Sequence, residues 1–152
     1  MEQVEDLIEA ISEFRKASPE DRRFYLASIL THGETQLISP ALSFLIPYLS
    51  EEEMKTVENK MGEGVFSADF KPTEKFISSL LVSALSSQDP KTRDRAASIS
   101  IEFESKLDWK VKKDFLFLLA SPDEETRDAC ANLLSEFKGE DTRLFGHFVN
   151  LL

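Results

Sequence analysis

One cysteine, five glycines and two histidines stand among 152 residues, and each shortage closes off a class of protein. A lone Cys130 can form neither an internal disulfide nor a thiolate metal cage. Its apolar helical setting marks it as a small buried side chain rather than a reactive thiol. The few glycines fall where helices stop, and no GxGxxG, Walker loop or GxSxG elbow is present, so a phosphate-cradling loop is not expected. His32 and His147 stand apart, without the spacing of an H-E-x-x-H or similar ligand set, and no metal or other cofactor is expected.

Positive charge is also scarce. Eighteen basic residues face 28 acidic ones, for a net charge of −10. That balance lacks the basic field that phosphate backbones attract, so nucleic acid is not the expected partner. The longest apolar run, FLFLLA at 115–120, is far short of the roughly 20 residues that cross a bilayer. The opening MEQVEDLIEAI has no basic region ahead of a continuous apolar stretch, so it does not read as a secretory leader, and a cytoplasmic location is expected. Nowhere does the chain alternate with period two for long enough to make a strand.

What is plentiful is helical pattern. Val4, Leu7, Ile8, Ile11 and Phe14 keep the spacing of one apolar helix face, and that helix is expected to end near Lys16. Ser18-Pro19-Glu20-Asp21 supplies a cap, a first-turn proline and acids for the helix dipole, opening a second helix that Gly33 closes. Residues 34–49 are apolar but interrupted by Pro40 and Pro47, which predicts a kinked or broken helix. Ser50 and Glu53 form a capping box for a fourth helix, closed by Gly62. Glu51, Glu52 and Glu53 could not converge on one ion, since successive helical residues point about 100° apart; they suit the helix N-terminus instead. A connecting loop over 62–72 carries Val65, Phe66 and Phe70. Further helices are expected at 73–87, 90–105, 108–120, 124–138 and 140–152. Trp109, at one of these helix starts, reads as a packing residue.

The second half repeats itself. DPKTRDRAASISIEF at 89–103 returns as DEETRDACANLLSEF at 123–137, 34 residues later (126 − 92 = 34). Asp89 and Asp123 precede helix starts, and the stripe 92/96/99/103 recurs as 126/130/133/137 on one face. Leu81, Leu85 and Ser87 likewise match Phe115, Leu119 and Ser121 in the helix before. The unit is a helical hairpin that must stack on a neighbour to bury its apolar face.

ALSSQDPKTRDRAASI and LLASPDEETRDACANLL resemble the HEAT-repeat pattern of an apolar helix end, a short Asp/Pro turn, an arginine and a run of small residues. Thr92 and Thr126 stand where that family more often has valine. The tetratricopeptide family shares the period, but its Trp, Leu-Gly and Tyr signature is missing. The resemblance implies an all-α, right-handed superhelix of about four hairpins plus a C-terminal helix in a single domain spanning 1–152. Its repeats are weak over 1–62 and clear over 73–138, with a terminal helix over 140–152. It also implies a ladder along the stack made by Asp89, Arg93, Asp123 and Arg127.

The function expected from these features is a noncatalytic protein-interaction or scaffold module, its second helices lining a concave face. Arg95, Ser98, Glu102, Asn132 and Glu136 lie beside the core stripe and are the candidate partner contacts; no catalytic residue is expected. Acidic balance favours another protein or peptide of basic character. Two alternatives come from the same resemblance and from the apolar sequence FVNLL at 148–152. One is a HEAT-like enzyme such as a DNA glycosylase or bilin lyase, although a glycosylase groove needs more positive charge than this chain carries. The other is an end piece of a larger assembly, with the terminal helix capping its own stack, pairing with a second copy or docking on a larger protein.

Overall fold

Helices begin where short polar side chains take up backbone N–H groups that the first turn leaves unpaired. Ser18 accepts from the Asp21 N–H at 3.3 Å ahead of Pro19. Ser50 and Glu53 close a reciprocal box, with N–H to side-chain distances of 3.2 and 2.8 Å. Asp89 accepts from the Lys91 N–H and Asp123 from the Glu125 N–H, each at 3.2 Å. Gly62, at φ 100°, ends the helix that Ser50 begins, a backbone angle that favours glycine.

The computed structural model describes residues 2–33, 35–62, 74–107 and 109–137. Among them are eight α-helices and no strand. In chain order these are α1 (Glu2–Glu13), α2 (Pro19–Leu30), α3 (Ile38–Leu45), α4 (Glu51–Met61), α5 (Glu74–Leu85), α6 (Pro90–Glu102), α7 (Trp109–Phe117) and α8 (Glu124–Glu136). The broken segment at 34–49 resolves into 3-10 turns at Thr35–Leu37 and Ile46–Tyr48 on either side of α3. Pro40 sits in the first turn of α3, where an N–H has no intrahelical partner to lose, and Pro47 falls in the second 3-10 turn. From residue 63 the expected connecting loop, with Val65, Phe66 and Phe70, lies outside the described residues, as does the expected terminal helix at 140–152.

The second half packs as its repeated sequence predicts. α5 lies on α6 and α7 on α8 within each hairpin, while α5 meets α7 and α6 meets α8 between them. The shared stripe is the reason: Thr92, Ala96, Ile99 and Phe103 are buried, as are Thr126, Cys130 and Leu133, and Phe137 is partly buried against the core.

The first half is ordered differently from the expected succession of hairpins. α1 flanks α6, α3 flanks α5, and α1 and α3 also touch. The place beside α6 that a sequential repeat would give to α4 is held by α1; α4 lies chiefly against α2. Apolar content explains the exchange. α1 contributes Val4, Leu7, Ile8, Ala10 and Ile11 to the core, with Phe14 directly after it, whereas Val57 is the one fully buried hydrophobic on α4. A helix with one fully buried apolar side chain, and Met54 only partly buried beside it, cannot cover α6, and α1 can.

Candidate partner-binding site

α1, α6 and α8 form a row, and three sets of contacts fix the direction of the first two. At one end the Ser87 hydroxyl, just before α6, donates to Glu5 of α1 at 2.7 Å. In the middle Arg95 reaches Glu9 and Glu13 at 3.9 and 3.7 Å. At the other end Arg15, just after α1, pairs with Glu102 at the end of α6. α1 and α6 therefore run parallel. Arg93 in α6 meets Glu125 in the first turn of α8 at 3.3 Å, and the last residues of the two helices, Glu102 and Glu136, line one hollow, so α8 runs the same way. All three helices present their C-terminal ends along one edge.

That edge carries an electrostatic conflict. The last residues of the three helices are Glu13, Glu102 and Glu136, and none of the three has a basic residue in its last turn. A carboxylate beside the carbonyl end of a helix opposes the dipole, at a cost of about 0.3–1 kcal/mol at an exposed position. Two of the three are relieved from outside their own helix. Glu13 faces Arg95, and Glu102 takes Arg15 and the Tyr48 hydroxyl, the latter at 3.3 Å. Glu136 is exposed and has no ion pair among the described residues.

The residues singled out in the sequence separate into two groups here. Arg95 and Glu102 tie α6 to α1, because α1 occupies the side of α6 that a sequential array would leave open. Ser98, Asn132 and Glu136 are exposed. Glu102 and Glu136, one from each repeat, nevertheless line one open hollow of about 870 Å³ together with Ile101, Glu104, Ser105, Leu107 and Lys112. Lys112 is buried there, paired with Glu104 at 3.0 Å and lying 5.1 Å from the centre of the Phe137 ring. Glu102 also borders a smaller notch of about 90 Å³ between α1 and α6, floored by Phe44, Ile99 and Phe103 and edged by Ser98, Arg15 and Tyr48. One carboxylate thus joins the two depressions.

The ladder implied by the resemblance takes another form. Asp89 and Asp123 accept from the hydroxyls of Thr92 and Thr126, each at 2.9 Å, and so stay at their own helix starts. The Thr92 hydroxyl is the first cause that holds the Asp89 carboxyl below the ordinary carboxylate range. Arg93 and Arg127 reach back to the carbonyls of Ser87 and Ser121 at 2.7 and 2.6 Å. The contact between repeats is made by Arg93 and Glu125, not by Asp123. The Thr92 and Thr126 hydroxyls thus give each aspartate a partner within its own helix start.

No group of three or more potential metal ligands occurs among the described residues, and no helix among them is long and apolar enough to cross a membrane. Cys130 is buried, donates to the Phe115 carbonyl, and has its thiol pushed up to about 12 by burial. Trp109 is half-buried with the Lys113 ammonium 5.3 Å from its ring centre.

Sequence reasoning missed Arg15, Tyr48 and the position of α1, yet a signal was present. Glu13-Phe14 repeats the Glu102-Phe103 and Glu136-Phe137 pairs, and counting back from each Phe places Leu7 and Ala10 on Ala96 and Ile99, and on Cys130 and Leu133. All six of those earlier positions are buried. Comparison with known proteins returns no match to a family model, to a curated protein or to a solved structure.

Proposed function

We propose that this chain is a noncatalytic, HEAT-like helical-repeat module that takes a basic segment of another protein across the shared C-terminal edge of α1, α6 and α8. The carrying observation is that Glu102 and Glu136 line one hollow with the apolar Ile101 and Leu107. Three helices ending in carboxylates, one of them, Glu136, with no ion pair among the described residues, and the apolar Ile101 and Leu107 beside them suit a partner with cationic side chains set among apolar ones. Supporting the HEAT-like reading are the 34-residue echo and the first-on-first, second-on-second contacts of α5–α8. The net charge of −10 steers the same kind of partner toward the surface.

The test is a fluorescence anisotropy titration of the chain with a labelled basic amphipathic peptide, an acidic counterpart and a short DNA duplex at low salt. Saturable binding of the basic peptide alone, weakened several-fold by Glu136→Lys and by added salt, is the expected result. Tight duplex binding without peptide binding would overturn the proposal in favour of a nucleic-acid enzyme on the same scaffold.

A further inference from the structure

We propose that Tyr48 and Glu102 form a subsite for an arginine side chain of the partner, which in the free protein is filled by the chain's own Arg15. This rests on the reading of the helix-end edge as a site for a basic protein segment, and it names the side chain that the edge selects. The subsite is built from two separate elements. Tyr48 lies in the 3-10 turn after α3, and its ring offers a face on which the Arg15 guanidinium carbon lies 4.5 Å from the centroid. Glu102, at the end of α6, pairs with the same guanidinium and accepts a hydrogen bond from the Tyr48 hydroxyl at 3.3 Å. A planar cation stacked on a ring while its edge meets a carboxylate is an arrangement that guanidinium satisfies and ammonium, a compact point charge, does not.

Tyr48 in fact holds two arginines, and their difference identifies the replaceable one. Arg22 forks onto Glu53 at 2.9 and 2.6 Å, donates to the Tyr48 carbonyl at 2.8 Å and lies 4.1 Å from the Phe14 ring centre, with its side chain only 20% exposed. Its Nε and Nη2 groups are both engaged and its plane lies against a ring, so it belongs to the fold. Arg15 sits on a three-residue 3-10 turn, its side chain is 43% exposed, and its contacts are one carboxylate and one ring face. Exposed ion pairs and exposed cation–ring contacts are individually weak, so displacing Arg15 lowers the partner's affinity by about tenfold rather than abolishing binding.

Location supplies the second reason. The notch beneath Arg15 is bordered by Ser98, and Glu102 is shared with the hollow that reaches Glu136. A basic segment lying along the edge with one cation at Glu136 therefore brings a neighbouring side chain to Tyr48. Arg15 acts as an internal competitor that sets the threshold for that partner.

Isothermal titration calorimetry with two basic peptides, identical except for one Arg/Lys exchange, tests this on the full chain. Arg15→Ala is expected to bind the arginine peptide about tenfold more tightly than the parent does, with a smaller gain for the lysine peptide. Adding Tyr48→Leu should erase the difference between the peptides while leaving binding through the hollow. Arg15→Lys, which keeps the surface charge, should show the same preference and serves if the alanine variant loses helicity by circular dichroism. Equal gains for both peptides would mean that only a positive charge was removed, and the subsite fails. If the parent binds both peptides and Arg15 variants change nothing, the edge stands and the subsite fails. If no protein binds either peptide, both readings fall.

Discussion

At the scale of single residues, the most consequential contact is the Arg22–Glu53 fork. The Arg22 hydrogen bond first, and then the Ser50 N–H, hold the Glu53 carboxyl down to about 2 from 4.5 against the opposing pull of burial. The Arg22 guanidinium is raised in turn, first by its bond to Glu53. A depressed carboxyl stabilises the folded state fully above its unfolded value, and that contribution is lost as pH falls from 4.5 towards 2. The full shift corresponds to about 3 kcal/mol; allowing for the water that still reaches the pair, about 1–2 kcal/mol is expected. Urea unfolding of the parent and Glu53→Gln chains is the measurement. Their stabilities should differ near neutral pH and converge as the pH approaches 2, and a gap that stays constant would show that the fork contributes no titratable stability. Cys130 gives a second residue-scale test. With its thiol near 12 and buried, a disulfide reagent at neutral pH should label it only after unfolding.

At the scale of elements, helix beginnings were legible because capping is a local affair settled within three residues. Ser18, Ser50, Asp89 and Asp123 all cap where the sequence places them. Removing a cap leaves N–H groups without partners, so Ser50→Ala and Asp123→Ala should each lower stability by about 1 kcal/mol in thermal or urea unfolding. The repeat pairing of α5 to α8 was legible for a related reason, since the same stripe returns at a constant interval. The order of the first half was not, because which helix lies beside α6 is decided by comparing the apolar faces of α1 and α4, residues roughly 90 and 40 positions away. The Glu-Phe pair that closes α1, α6 and α8 marks the three as equivalent, but at α1 it falls 89 residues before its match (102 − 13 = 89), off the 34-residue interval. A search by period passes over it. For the candidate site, the identities of Glu102 and Glu136 were readable from the stripe beside the core, while the capture of Arg95 and Glu102 by α1 depended on that unread neighbour.

At the scale of the whole molecule, the position of α1 changes what kind of array this is. In a sequential solenoid each repeat contacts only its neighbours, and trimming the first shortens the stack while leaving the rest folded. Here the first helix of the chain touches α2, α3, α5 and α6. Val4, Leu7, Ile8, Ile11 and Phe14 are all buried, and burial of large apolar side chains at about 1.5–3 kcal/mol each makes their joint contribution on the order of 10 kcal/mol. That is comparable with the entire stability of a domain this size. Deleting residues 1–16 is therefore expected to abolish cooperative unfolding in a urea titration followed by circular dichroism, and Ile8→Ala alone should cost about 3 kcal/mol. Truncation before Glu124 removes α8, whose neighbours are α5, α6, α7 and the short turn after α7, and should leave a weaker but still cooperative transition. If the two truncations instead behave alike, the ends are interchangeable and α1 is an ordinary terminal repeat. If they differ as expected, the edge where α1, α6 and α8 end together is held by the part of the chain that closes the fold, so a partner bound there draws its rigidity from the first sixteen residues.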